Sequence, residues 1–264
     1  KQLELDLWKA VERGEIFIEF QPVVLARTGR PILFEALARW RHPIYGLVRP
    51  DDFVALAEQT GSIGEIGAWV LAEACRCAAG WPQAVGVAVN ISPRQLEHGD
   101  LAERVRGVLE ASGLAPDRLE LEVTESAYRG GVDLVARVVA QLHALGVTVA
   151  MDDFGTGYSS LSSLREVPFD KIKIDQSLVG QGAADNRTVS VLRSIVTIGR
   201  TLGMQVTAEE VETAEHEAFL RGIGVDSLQG FYFGRPMPSD GVADFLATYG
   251  QPGDAPAASR TSAA

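Results

Sequence analysis

Apolar runs alternate regularly with segments of helical period along the chain. Eight of these runs are rich in β-branched residues, and we predict them to be strands. Between most of them, apolar residues recur as they do on one face of a helix, and several such segments end at a glycine. Eight strands alternating with helices over about 250 residues are typical of a (β/α)8 barrel. The predicted strands are 16–25, 31–40, 85–92, 118–124, 146–153, 170–175, 204–209 and 224–230, with helices over 51–61, 100–113, 131–146 and 185–203.

The first two predicted strands break the alternation, because only residues 26–30 separate them. A parallel crossover needs roughly a dozen residues or more, whereas a loop of this length suits a hairpin. We therefore predict an α/β fold, a modified (β/α)8 TIM-like barrel whose first strand is antiparallel.

The two ends of the chain differ from the rest. Residues 251–264 are rich in Ala, Pro and Ser without periodicity, which predicts a disordered tail after a domain over 1–250. The chain starts with Lys1, and we expect no signal peptide in it; none of its apolar runs is long enough to span a membrane. We expect a cytoplasmic domain of a longer protein, without membrane contact in this segment. Cys75 and Cys77 are predicted to be small, reduced helix residues.

Composition and charge limit the classes of partner. The 264 residues are 46% hydrophobic and 22% charged, as in ordinary globular domains. The formal net charge of −11 repels nucleic-acid backbones, so we expect no binding to DNA or RNA polymers. An anionic ligand would need a local positive charge, and a divalent metal is the usual source.

Polar residues recur at the carboxyl ends of seven of the eight predicted strands, where barrel active sites form. Carboxylates brought together there repel one another unless they are protonated or bind a cation. Hard oxygen ligands favour Mg²⁺ or Mn²⁺ over zinc. The residues at these ends are Glu35, Asn90, Glu122, Asp152, Asp153, Lys173, Asp175, Glu209 and Gln229.

Each of these residues also has a structural interpretation when taken alone. An acidic residue at a strand end usually caps the next helix. Asp152 and Asp153 before FGTG could simply form an acidic turn. The repetition along the chain is what favours a shared site.

Seven short motifs follow one another along the chain: FEALARW (34–40), NISPRQL (90–96), LEVTES (121–126), DDFGTGYSSL (152–161), KIKID (171–175), AEEVE (208–212) and QGFYFGRP (229–236). In this order they resemble the EAL-domain family of cyclic di-GMP phosphodiesterases, from about Leu7 to Phe245. The family's barrel has a reversed first strand, in agreement with the short loop at 26–30. The resemblance implies hydrolysis of cyclic di-GMP to linear pGpG in bacterial second-messenger signalling.

The resemblance also implies a site that binds two divalent ions, Mg²⁺ or Mn²⁺. Ca²⁺ should inhibit the activity. Lys173 would lie beside the nucleophilic water, and Glu209 would be either a metal ligand or a general base. The first ion would be held by Glu35, Asn90, Glu122 and Asp152, and the second by Asp152, Asp153 and Glu209.

Further roles follow from the same resemblance. Glu125 would anchor the loop DDFGTGYSS, and Arg39 would contact a phosphate. A homodimer and preceding sensory or GGDEF domains are implied for the full-length protein. The dinucleotide would also contact Gln21, Leu37, Gln229, Gly234, Arg235 and Pro236. Thr124, Asp175 and Glu212 would hold the metal-binding side chains in position.

One position departs from the family pattern. The family's usual residue at position 210 is glycine, and this chain has Glu210. If the backbone needs a positive φ there, Glu210 is strained; otherwise it only adds a carboxylate. Two alternatives to hydrolysis stay open: a catalytically weak EAL-type receptor for cyclic di-GMP, and an unrelated metal-dependent barrel acting on another phosphoester.

Overall fold

The computed structural model describes residues 2–82, 84–155, 161–179 and 186–249. The strands within these ranges belong to one sheet. Eight strands form the barrel, and one short strand extends its edge. In chain order they are β1 (Ile16–Leu25), β2 (Pro31–His42), β3 (Gly46–Val48), β4 (Gly86–Ile91), β5 (Leu119–Thr124), β6 (Thr148–Phe154), β7 (Lys171–Ile174), β8 (Gln205–Ala208) and β9 (Ser227–Gln229). Each predicted strand therefore corresponds to an observed one.

The reversed first strand is confirmed. β1 runs antiparallel to both β2 and β9 and closes the barrel between them, while β2 and β4 to β9 are mutually parallel. The loop between β1 and β2 closes as a turn, in which the Leu25 N–H donates to the Arg30 carbonyl and the Gly29 N–H to the Leu25 carbonyl. Gly29 has φ +70°, which a side chain would disfavour. The short β3, antiparallel to β2, was not predicted.

Helices surround the barrel, and four of them match the predicted helical segments. Two of the predicted helix ends are confirmed: Gly61 and Gly113 adopt left-handed φ values of 87° and 72° and end their helices. The helices are α1 (Gln2–Leu7), α2 (Pro50–Thr60), α3 (Ile63–Ala79), α4 (Pro93–Glu97), α5 (Leu101–Ser112), α6 (Val132–His143), α7 (Leu161–Glu166), α8 (Gln176–Val179), α9 (Asn186–Leu202), α10 (Ala214–Ile223) and α11 (Ser239–Tyr249).

The apolar core lies mainly between the barrel and its helices, which explains why the parallel strands are almost continuously buried. A second, small apolar cluster comprises Val23, Leu33 and Ala88. A buried ion pair also joins β7 to β5, the strands on either side of β6: Lys171 Nζ lies 2.6 Å from Glu120 Oε2. Charged side chains are thus already present below the mouth of the barrel.

Three predictions about the chain as a whole have different outcomes. No helix in the described ranges combines the length and apolarity that a membrane span requires. Cys75 and Cys77 are both free thiols on α3, and burial raises the pKa of Cys75 to about 12. The segment 251–264 lies outside the described residues, so its disorder stays a prediction.

Candidate active site

The strand register brings polar side chains together at the carboxyl end of the barrel. Asn90 is the register partner of Glu122, and Thr124 is the partner of Asp152. On the antiparallel side, Gln21 of β1 lies directly opposite Glu35 of β2. Partners in register point to the same face of a sheet, so these residues line one face.

The centre of the site is the ammonium group of Lys173, a side chain only 2% exposed. Its Nζ lies 2.7 Å from Glu122 Oε2, 2.8 Å from Glu209 Oε1, 3.2 Å from Asp152 Oδ1 and 3.8 Å from Glu35 Oε2. Four carboxylates, contributed by β2, β5, β6 and the residue after β8, therefore surround the positive charge of Lys173.

This arrangement leaves negative charge in excess. Burial raises the pKa of Glu209 to about 8 and that of Asp153 to about 6, and it raises the pKa of Glu122 well above its usual value. Burial opposes the charge on Lys173 as well, but the surrounding carboxylates outweigh it and hold the Lys173 pKa well above its ordinary value. A further cation would relieve the repulsion that remains.

Two carboxamides orient Glu35. Asn90 Nδ2 donates to Glu35 Oε1 at 2.6 Å, and Gln229 Nε2 donates to Glu35 Oε2 at 2.6 Å and to Gln21 Oε1 at 3.3 Å. Burial opposes ionisation of Glu35, yet Lys173 and the two amides together hold its pKa below its usual value. Glu35 is therefore a fixed, ionised carboxylate.

The residues present fit a hard divalent cation in their chemistry. Glu122 Oε1 and Gln229 Oε1 are buried oxygens without a hydrogen-bond partner among the residues that the structure describes. Carboxylate and amide oxygens are the ligands that Mg²⁺ and Mn²⁺ prefer. Within the described ranges, no three Asp, Glu, His or Cys side chains surround a common point as metal ligands; the carboxylates surround Lys173 instead. Asn90 presents its Nδ2 to Glu35, and a half-turn of that amide exchanges nitrogen and oxygen.

Two residues at the mouth have left-handed backbones that favour glycine. Asp153 has φ +58° and Glu210 has φ +49°. Asp tolerates this region better than most residues, and the Asp153 N–H donates to Asp152 Oδ1 at 2.9 Å. The φ of Glu210 is therefore positive, which is the case in which a residue with a side chain is strained.

We expect Glu210→Gly to raise the free energy of unfolding by about 0.5–1 kcal/mol. A left-handed non-glycine residue costs roughly 1–2 kcal/mol, and the flexibility of glycine in the unfolded chain offsets roughly 0.5–1 kcal/mol of that gain. Urea denaturation of both proteins measures the difference. Glu210→Ala is the matched control, because it removes the carboxylate and keeps the strained backbone. Equal stabilisation by Ala and Gly would show that charge, and not the backbone, is responsible.

Two cavities flank the carboxylates and meet at Leu37, Arg39 and Pro50. One, of about 330 Å³, also contains Gln21, Glu35, Glu209, Glu210, Glu212, Gln229, Phe231 and Pro236. The other, of about 510 Å³, also contains Asn90, Thr124, Asp152 and Asp153. Arg39 Nε donates to Glu19 Oε2 at 2.8 Å, so an ion pair holds the guanidinium at the junction of the two cavities.

The other predicted residues make no ion pair or hydrogen bond with Lys173 among the described contacts. Asp175 Oδ1 accepts from the Ser177 N–H at 2.9 Å. Asp175 thus caps the start of α8, as the structural interpretation of an acidic residue at a strand end predicts. Thr124 pairs with the Ser126 hydroxyl at 2.8 Å, and Glu212 is exposed at the rim of the smaller cavity. Gly234 accepts from Gln21 through its carbonyl, next to Pro236 and the exposed Arg235.

Glu125 is buried, and neither of its carboxylate oxygens has a hydrogen-bond partner among the described residues. It begins a 3-10 turn directly after β5. Positions 156–160 of the loop that it would anchor lie outside the described residues, so this role stays a prediction.

Sequence reasoning missed three residues of this site. Glu19 holds Arg39 from the neighbouring antiparallel strand, Pro50 joins the two cavities, and Phe231 lines the smaller one. The polar position of Glu19 within the apolar run IFIEF was a usable signal. Pairing of Glu19 with Arg39 depends on the register of two reversed strands, which the local sequence does not specify.

Comparison with known proteins agrees with the motif order. A family model described as "EAL domain" matches residues 4–236. The bifunctional diguanylate cyclase/cyclic di-GMP phosphodiesterase MucR of Pseudomonas aeruginosa is 44% identical over 246 residues, which cover 91% of this chain and 36% of MucR. The cyclic di-GMP phosphodiesterase NbdA of the same organism is 39% identical over 252 residues, covering 94% of this chain and 32% of NbdA. The chain thus spans about a third of the curated relatives that it matches.

A solved structure has the same fold. The PaMucR phosphodiesterase in complex with c-di-GMP superimposes with a TM-score of 0.87 at 43% sequence identity, covering 92% of this chain and 100% of that chain. The antiparallel closure of the barrel and its order of strands are therefore those of a known architecture.

Proposed function

Because the chain belongs to the EAL-domain family, we propose that it is a metal-dependent phosphodiesterase that converts cyclic di-GMP to linear pGpG. The observation that carries this proposal is the convergence of Glu35, Glu122, Asp152 and Glu209 on Lys173, beside a cavity that contains Arg39. The relatives named as cyclic di-GMP phosphodiesterases and the c-di-GMP complex of PaMucR support this choice of substrate.

In the proposed reaction, a water oxygen bonds to phosphorus, the bond from phosphorus to one ribose 3′-oxygen breaks, and that oxygen takes up a proton. When bound, Mg²⁺ or Mn²⁺ would activate the water and stabilise the charge of the phosphoryl group. Glu35, Asn90, Glu122 and Asp152 would hold one ion, and Asp153 and Glu209 would complete a second site. Lys173 would neutralise negative charge next to the reacting phosphate.

Product analysis tests the proposal directly. Purified protein with cyclic di-GMP and Mn²⁺ should yield pGpG, and Glu35→Gln should not, because the amide lacks the negative charge that holds the cation. Binding of cyclic di-GMP without formation of pGpG would identify a receptor of the EAL type. Cleavage of other phosphoesters, with cyclic di-GMP left intact, would identify a different phosphoesterase.

Arg39→Ala is expected to weaken cyclic di-GMP binding by about 2 kcal/mol with little change in kcat, as for a lost hydrogen bond to a charged group. The guanidinium is proposed to contact a phosphate in the ground state and in the transition state alike, so its loss should raise KM. Calorimetry and initial rates measure the two effects. Glu19→Gln, which removes only the negative charge of the partner of Arg39, should have a smaller effect in the same direction. A fall in kcat at unchanged KM would contradict this assignment.

We also propose that the chain acts as a homodimer and works together with sensory or GGDEF domains in a full-length protein. MucR, whose name combines diguanylate cyclase and phosphodiesterase activities, supports the second part, since this chain covers 36% of it. Light scattering of the purified chain tests the first part, and a monomer at micromolar concentration would contradict it.

A further inference from the structure

A tight turn after β9 holds an aromatic ring over the smaller cavity. Gly230 packs so closely on the backbone of Val211 that a Cβ there would collide with it. The Gly230 carbonyl accepts from the N–H groups of Phe233 and Gly234, and the Val211 carbonyl accepts from the N–H of Tyr232. The backbone around Phe231 is therefore fixed on both sides.

Phe231 is nevertheless 44% exposed, although it lines a cavity beside the carboxylates. Its neighbour Phe233 in the same turn is buried. Phe231 therefore contributes little to the core, and part of its ring surface faces the cavity, where it can contact a ligand.

Arg235 lies over this ring, with its Cζ 4.5 Å from the ring centroid. Such a cation–π contact restricts the long side chain of arginine and keeps its guanidinium plane in one orientation. Pro236, the next residue, also lines the cavity. The positive fork of Arg235 is thus held beside two residues, Phe231 and Pro236, that line the cavity.

Guanine and adenine differ at the edge that an arginine fork contacts. Guanine presents two acceptors, O6 and N7, to which arginine donates in a bidentate manner; adenine has an amino donor in place of O6. A fixed guanidinium therefore distinguishes the two purines, whereas a ring that merely stacks on a base does not.

We infer that Phe231 is a positioning residue that orients Arg235 toward the O6/N7 edge of a guanine base of the substrate. This inference rests on the proposed function and deepens it, because it assigns base selectivity to a pair of residues apart from the carboxylate cluster.

The test compares the affinities for cyclic di-GMP and cyclic di-AMP, measured by calorimetry of the full chain with Ca²⁺. Arg235→Ala should reduce the preference for cyclic di-GMP by about tenfold or more, the scale of one bidentate base contact. Phe231→Leu should reduce it by about fivefold, in proportion to a lost cation–π contact. Phe231→Tyr, which keeps an aromatic ring, should stay within about twofold of the parent chain.

The double variant distinguishes positioning from direct contact. If Phe231 acts through Arg235, Phe231→Leu combined with Arg235→Ala should lose no more selectivity than Arg235→Ala alone. Equal weakening of both nucleotides by Phe231→Leu, or additive losses in the double variant, would overturn the inference.

Two further outcomes separate this inference from the proposed function. Selective binding of cyclic di-GMP that depends on Arg235, without any pGpG, would support base recognition and overturn hydrolysis. Formation of pGpG with a preference that neither variant changes would overturn base recognition alone. Binding of neither nucleotide would overturn both.

Discussion

Removal of divalent metal by excess EDTA is expected to abolish conversion of cyclic di-GMP to pGpG. One ammonium, that of Lys173, faces four carboxylates within 3.8 Å, and burial already raises the pKa values of Glu122 and Glu209. An anionic substrate cannot approach such a site until a cation offsets the charge. Added Mg²⁺ or Mn²⁺ should restore turnover, measured as pGpG formed per minute.

Two controls accompany the chelation experiment. Ca²⁺ should support binding of cyclic di-GMP but not turnover, because its larger and looser coordination shell misplaces the attacking water. Mg²⁺ should also raise the melting temperature of the EDTA-treated protein, since a ligand that binds only the folded state stabilises that state. Full activity in excess EDTA would contradict the proposed mechanism.

Lys173→Ala is expected to lower kcat by roughly 10²-fold or more, the usual scale for a positioned charge at a reacting group. Its affinity for cyclic di-GMP should change little, because the lysine is assigned to charge that develops in the transition state. Turnover with Mn²⁺ measures the first effect, and calorimetry with Ca²⁺ measures the second. Loss of binding at unchanged kcat would show that the assigned role is wrong.

A stability effect must be separated from this catalytic effect. Removal of one partner of a buried ion pair typically destabilises a protein by about 3–5 kcal/mol. Lys173→Met keeps most of the side-chain volume, and Lys171→Met is the matched control. Lys171 lies on the same strand and pairs with Glu120 at 2.6 Å, but it contacts none of the four carboxylates around Lys173 in the described contacts. We expect Lys171→Met to reduce the melting temperature and to retain kcat, and similar kcat losses in both variants would point to misfolding.

The architecture follows from local features of the chain, for physical reasons. Buried parallel strands need nearly continuous apolar runs, and helices on a barrel need an apolar face. The hydrophobic patterns of both elements are therefore visible in the sequence. The five residues between β1 and β2 are too few for a parallel crossover, and this alone predicted the reversed strand. Polar residues at successive strand ends indicated the position of the site, because a barrel gathers those ends at one mouth.

Which side chains come into contact, and how they share charge, depends on the folded chain. Lys173 and Glu122 are 51 positions apart, and their contact of 2.7 Å arises from the closed order of strands. The pairing of Arg39 with Glu19 depends on strand register, and the Phe231–Arg235 stack depends on a turn packed against Val211. Positive φ at Glu210 is likewise a property of the folded backbone. Local sequence specifies periodicity and turns, whereas contacts between distant residues, and hence pKa values, depend on the distances that only packing sets.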